Sequence, residues 1–178
     1  MKGVILAGGT GSRLLPLTRV TNKHLLPVGK KPMILHSVKK LTGIGIEDII
    51  IITGIEHMGD MISLLGSGKN YGCNLTYRVQ DDPDGIAGAL LLCESFCGSE
   101  DMCVILGDNI FKDDLTNSLK AFSQISNNPK CLLSLSEVKD PKRFGVPTIL
   151  EERIIEIIEK PNKISDSHAA KLRSAAKI

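Results

Sequence analysis

Gly8, Gly9 and Gly11 fall within four positions, with Arg13 and then Lys23 close behind. Glycines lack a Cβ, so a chain this rich in them can turn successive N–H groups inward around an anion. Arginine adds a guanidinium that forks across phosphate oxygens, and lysine adds a compact ammonium. The run Leu6-Ala7-Gly8-Gly9-Thr10-Gly11-Ser12-Arg13 therefore reads as a cradle for a nucleoside triphosphate. Further along, Asp108 supplies a carboxylate suited to a hard cation such as Mg²⁺, which takes one or two carboxylates together with phosphate oxygens and water. Gln80 supplies an amide able to pair with the donor and acceptor edge of a pyrimidine, and Gly85 lets the backbone approach that base.

Two common phosphate motifs fail the test of spacing. A P-loop needs Lys followed by Ser or Thr after its last glycine, whereas Gly11 is followed by Ser12-Arg13. A dinucleotide fingerprint needs a third glycine where Leu14 stands. Gly66-Ser67-Gly68-Lys69 mimics a P-loop ending, but Asn70 replaces the magnesium-binding hydroxyl, so it reads as a helix-terminating loop. Asp81, Asp82 and Asp84 read as solvated loop charges, and Asp113 and Asp114 as a helix start. His24 and His36 read as surface or packing residues. The five cysteines, Cys73, Cys93, Cys97, Cys103 and Cys131, are scattered in apolar surroundings and read as reduced core residues without zinc spacing.

The elements that would position these residues alternate in type. Apolar runs at Gly3–Ala7, Asp48–Thr53, Leu75–Gln80, Met102–Leu106 and Cys131–Val138 read as strands. Helical spacing marks Pro32–Leu41, Gly59–Leu65, Gly85–Phe96 and Leu115–Ile125. That order predicts an α/β fold: a three-layer, Rossmann-like domain with a mostly parallel mixed sheet. Val146–Leu150 and Arg153–Glu159 are separated by two residues and predict a hairpin, with Pro147 making the first strand an edge or irregular. One domain is expected over residues 1–161, with 162–178 a divergent tail lacking a strand signal.

Aromatic residues make up 3% of the 178, with no tryptophan, so Ile, Leu, Val, Met and Ala must build the core. A net charge of +2 without a basic cluster argues against a nucleic-acid surface. No apolar run approaches membrane-spanning length, and no signal peptide is evident, so the expectation is a cytoplasmic protein without a membrane partner.

Gly8 to Leu14, then Pro16, Thr18, Lys23, Leu26-Pro27-Val28 and Lys31-Pro32-Met33-Ile34, form a long ordered pattern. With Gln80 and Pro83-Asp84-Gly85-Ile86-Ala87, Leu106 to Phe111, and Asp140-Pro141, Arg143 to Val146 and Glu159-Lys160-Pro161, it resembles the sugar-phosphate nucleotidyltransferases, in particular glucose-1-phosphate thymidylyltransferases. The resemblance implies a homo-oligomeric enzyme joining a sugar 1-phosphate and a nucleoside triphosphate, glucose 1-phosphate and dTTP in the first instance, with Mg²⁺. It implies Arg13, Lys23 and Asp108 as catalytic residues, Asp108 as metal ligand, and Leu6, Gly8, Gly9, Thr10, Gly11, Ser12, Gln80 and Gly85 as nucleotide-binding. It also implies that Gly145, Glu159 and Lys160 hold the sugar and its phosphate. Such chemistry needs no covalent enzyme intermediate, only charge stabilisation and in-line positioning. Gly88 stands where thymidylyltransferases often have glutamine, and Pro147-Thr148 replaces a more polar pair, leaving uridylyl or cytidylyl transfer open. After Pro161 the family's next strand and second metal-binding aspartate have no counterpart. A nucleotide-binding remnant without turnover, and an NAD-dependent enzyme, are the competing expectations.

Overall fold

A computed structural model of the chain describes residues 1–9, 11–82, 84–126, 131–136, 138, 140–151, 153–162 and 175–176. It divides into two compact units, Met1–Leu115 and Thr116–Ile178.

In the first unit, β1 (Lys2–Leu6) leads through short 3₁₀ turns to a small hairpin, β2 (Pro27–Val28) and β3 (Lys31–Pro32), and then to helix α1 (Met33–Thr42). The chain continues as β4 (Asp48–Gly54), α2 (Met58–Leu65), β5 (Asn74–Gln80), α3 (Gly85–Leu91), α4 (Glu94–Cys97) and β6 (Met102–Leu106). The sheet order is β5-β4-β1-β6, and every pairing is parallel.

Side chains alternate across a strand, so the isoleucines of β4 supply both faces of the sheet. Ile49 and Ile51 join Ile5 and Ile105 beneath Ile34, Val38 and Leu41 of α1 and Met61 and Leu65 of α2. Ile50 and Ile52 join Val4 and Leu6 against Ala89 of α3, Cys93, and Cys97 of α4. Helices thus cover both faces, and the three-layer, Rossmann-like expectation holds. The near-pure isoleucine run is what a strand buried on both sides requires.

Most boundaries agree with the sequence pattern, with three differences. The helix expected over Gly85–Phe96 breaks at Leu92-Cys93 into α3 and α4, and Gly98 then reverses the chain at φ +56°. Expected strand Cys131–Val138 is reduced, among its described residues, to β7. The small β2–β3 pairing carried no period to read. The Gly66 to Lys69 decoy does end a helix: Gly66 closes α2 at φ +57°. Cys73, Cys93 and Cys97 are buried free thiols, and burial pushes Cys93 up to about 11. Cys131 departs from the core reading because it is exposed.

The second unit contains α5 (Thr116–Ser123), β7 (Leu135–Ser136), β8 (Gly145–Leu150), β9 (Arg153–Glu159) and β10 (Ala175–Ala176). Its sheet is antiparallel, in the order β7-β10-β8-β9. The β8–β9 hairpin is as expected, and its register shifts between Thr148 and Ile149, directly after Pro147. Ala175–Ala176 adds a short strand where the tail showed no strand signal; residues 163–174 lie outside the described residues.

The two-faced core yields a stability prediction. Ile51, with no exposed surface, should lose about 2–5 kcal/mol on replacement by alanine. Val20, 86% exposed, should change by less than about 0.5 kcal/mol. Urea unfolding of the two variants measures the difference.

Candidate nucleotide site

The first unit's parallel strands end on one edge, where open α/β sheets gather ligands. There β1 delivers Ala7 and Gly8, β4 delivers Thr53, β5 delivers Gln80, and β6 delivers Gly107 and Asp108. Backbone bonds continue past the strand ends: Ala7 N donates to Ile52 O at 2.7 Å, and Gly107 N to Leu6 O at 2.8 Å. The Leu6 side chain is in the core, so its backbone alone faces the loop.

Beneath the glycine loop lies a buried polar node. The Ala7 carbonyl accepts from Asn22 Nδ2 and Thr53 Oγ1, each at 3.3 Å. Asn22 Oδ1 accepts from His24 N at 2.9 Å and from His24 Nδ1 at 2.6 Å, so the short 3₁₀ turn Lys23–Leu25 is capped by a side chain that also holds the loop. Thr18 Oγ1 donates to Gly11 O at 2.8 Å. Gly11 has φ +61°, and a Cβ there would lie 2.8 Å from Thr18 Cγ2, so both dihedral and space demand glycine. Asn22 and Thr53 carry no assigned role in the sequence, and His24, 1% exposed, is the packing residue of its two expected readings. An Asn just before a polar turn is a legible capping signal, but its pairing across to β1 is not.

Lys23 Nζ donates to Asp108 Oδ2 at 3.0 Å, joining two predicted catalytic residues 85 positions apart. The pair is half-buried, with side chains 23% and 40% exposed. His24 is 1% exposed. Burial, then the neighbouring Lys23 charge, push its pKa down to about 4, so the ring is neutral. It packs so closely on Gly107 that a Cβ there would lie 2.7 Å from His24 Cδ2. Arg13 is exposed within the 3₁₀ turn Ser12–Leu14 and forms no ion pair among the described residues. Gly9 is exposed, and Thr10 lies outside the described residues.

Asp108 offers hard oxygen chemistry that fits a divalent cation. Among the described residues no three His, Cys, Asp or Glu side chains cluster as a ready metal cage. An ion here would draw its remaining ligands from phosphate and water.

On the other side of the loop, Gln80 Nε2 donates to Asp84 Oδ1 and, at 3.3 Å, to Gly85 O. Gln80 Oε1 lies 3.2 Å from where a Gly8 Cβ would be, so the predicted base-reading amide does flank the predicted phosphate loop. Gly85 turns the chain into α3 at φ +87°. Asp84 is exposed, as the reading of a solvated loop charge expects, and in addition accepts from Gln80.

Within the second unit, Gly145 and Glu159 are register partners at the end of the β8–β9 hairpin. Lys160 follows at φ +45°, its N–H donating to Phe144 O at 3.0 Å and its Nζ lying 3.3 Å from Glu159 Oε1. The three residues predicted to hold a sugar phosphate are therefore neighbours, and the Glu159 and Lys160 side chains are exposed.

A glycine loop on the carboxyl edge of a doubly covered parallel sheet, with an ammonium and a carboxylate paired beside it, defines an open α/β domain with a candidate ligand site at its strand ends. The nucleotidyl transferase family model matches residues 2–172, and the chain belongs to that family. It is 42% identical over 165 residues to glucose-1-phosphate thymidylyltransferase of Neisseria meningitidis, covering 92% of this chain and 57% of the relative. It is 38% identical to the low-salt glycan biosynthesis nucleotidyltransferase Agl11 of Haloferax volcanii, covering 92% and 45%. A Bacillus anthracis structure assigned to glucose-1-phosphate thymidylyltransferase, crystallised with sucrose, matches with TM-score 0.89 and 55% identity over 99% of this chain and 68% of that one. The chain thus spans a little over half the length of the N. meningitidis relative.

Neutral His24 makes stability pH-dependent. Its folded pKa lies below the ordinary 6.5, so between about 6.5 and about 4 the unfolded chain binds a proton that the folded chain refuses. Stability from this residue is complete above pH 6.5 and declines as pH falls toward 4, by a total on the order of 3 kcal/mol. Denaturant titrations at pH 7 and 4.5 should show the decline, and His24→Gln should flatten it.

Proposed function

We propose that the chain carries a sugar-phosphate nucleotidyltransferase site: a sugar 1-phosphate oxygen attacks the α-phosphorus of a nucleoside triphosphate, the bond to the β-phosphate bridging oxygen breaks, and pyrophosphate leaves. Glucose 1-phosphate and dTTP are the proposed substrates, by analogy with the thymidylyltransferases the chain is similar to. The observation that carries the reading is Lys23 held 3.0 Å from Asp108 at the strand edge beside the glycine loop.

Two anions must approach, so positive charge comes first. The loop's N–H groups and Arg13 take the phosphates, and Lys23 neutralises charge that builds on the α-phosphate. Asp108 orients Lys23 and would hold a divalent cation, which when bound polarises phosphate oxygens. Gln80 and Gly85 receive the base. Gly145, Glu159 and Lys160 are assigned the sugar and its phosphate: carboxylate to hydroxyls, ammonium to phosphate. We assign the reaction to the cytoplasm, where nucleoside triphosphates are supplied, and to a homo-oligomer. Among the described residues no helix is long and apolar enough to cross a membrane.

The competing reading is nucleotide binding without turnover. Pyrophosphate release with glucose 1-phosphate, dTTP and Mg²⁺ separates the two. The enzyme reading expects release by the wild type and a fall of about 10²-fold or more in Lys23→Ala and Asp108→Ala. Binding of dTTP with no release selects the second reading, and protection against melting by NAD but not dTTP overturns both.

A further inference from the structure

The amide of Gln80 is not free to present either end to a ligand. Its nitrogen faces two acceptors, Asp84 Oδ1 and Gly85 O, neither of which can donate, so its orientation is dictated by chemistry. The carbonyl Oε1 is left facing Gly8, and among the described residues it receives no hydrogen bond. Space for this arrangement comes from Gly88 in α3. A Cβ at that position would fall 2.0 Å from Asp84 Oδ2, inside the carboxylate itself.

We propose that Asp84 is a specificity-determining residue: by holding the Gln80 nitrogen, it leaves an acceptor alone to meet the base, and so selects a pyrimidine with an N3–H, thymine or uracil, over cytosine. The proposal rests on the reading of this edge as a nucleotide site. Thymine and uracil carry a donor at the centre of their pairing edge. Cytosine carries a lone pair there, facing the Gln80 oxygen, and its 4-amino donor is displaced along the edge. Reaching it requires sliding the base relative to phosphates that the loop holds. Asp84 acts through Gln80, which makes it a positioning residue, and Gly88 is part of the same device because its missing side chain admits the carboxylate.

The test is the binding of dTTP, dUTP and dCTP to the full 178-residue chain by titration calorimetry, with melting temperatures as a check on folding. The wild type should bind dTTP and dUTP alike and dCTP at least about tenfold more weakly, since a site built around one hydrogen-bonding pattern rejects a base that leaves it unmatched. In Asp84→Ala the dTTP preference should shrink to about threefold or less, because only the longer bond to the Gly85 carbonyl is then left to hold the nitrogen. Gly88→Ala should do the same by displacing the Asp84 carboxylate, with which its Cβ would collide, and it raises helix propensity, so it keeps the fold. Asp84→Asn, whose amide oxygen still accepts from Gln80, should retain most of the preference. Equal binding of dTTP and dCTP by the wild type would overturn the proposal, as would wild-type discrimination in both Asp84→Ala and Gly88→Ala. An equal loss for all three nucleotides in Asp84→Ala would also overturn it, giving Asp84 a structural role only. No binding of any triphosphate by the wild type is a separate result that removes the nucleotide reading itself.

Discussion

The carbonyl oxygen of Ala7, where β1 gives way to the glycine loop, is the point on which the site's geometry depends. A loop made of glycines has no side chains to hold it, and its freedom is entropically expensive to remove. The cost is met from outside the loop: Asn22 and Thr53 both donate to that carbonyl, and Thr18 takes the Gly11 carbonyl further along. Because Asn22 also caps the turn that begins at Lys23, the bond that fixes the loop fixes the lysine's backbone as well. The glycine loop and Lys23 are thus tied together through one residue, although each belongs to a different segment.

The charges above this node are sorted by exposure. Lys23 and Asp108 stay partly hydrated and pair across 3.0 Å, so each compensates the other before any substrate arrives. His24, directly beneath, is excluded from water and stays neutral, so it fills space against Gly107 without adding charge. A second cation there would repel Lys23, and a flexible aliphatic chain would leave Asn22 Oδ1 with the backbone N–H of residue 24 alone. The neutral ring meets both conditions. Such preorganisation matters for phosphoryl chemistry, where positioning and electrostatics supply most of what a protein can contribute.

How far the sequence disclosed this structure depended on the range of the interaction. The isoleucine run of β4 was legible because a strand buried on both faces needs no alternation, and the C-terminal edge residues were legible because they directly follow such strands. The break of the Gly85–Phe96 helix was not, since apolar spacing continues through Leu92-Cys93 with no proline or glycine to mark it. His24 is legible as one of two things, a surface or a packing residue, and no local pattern reveals that it packs on Gly107. Asp84 is legible as a solvated charge, but its bond to Gln80 is not, because that bond crosses from a loop to a strand end and requires an empty position at Gly88, four residues on. The exposed Cys131 shows the limit of judging burial from apolar neighbours alone.

The two groups of candidate residues also differ in what fixes them. In the first unit the loop, Lys23, Gln80 and Asp108 come from four separate segments, and parallel pairing brings their strand ends together. Such a site exists only once non-local contacts have formed. In the second unit Gly145 and Glu159 are opposite one another in a single hairpin, and Lys160 is held by its bond back to Phe144. That cluster is set by local pairing, and its register is the sole variable. A register slip of one residue would turn Glu159 to the other face of the hairpin. The irregularity beside Pro147 therefore bears on the sugar-phosphate assignment, because it sets how the rest of the hairpin is phased relative to the Gly145–Glu159 pair.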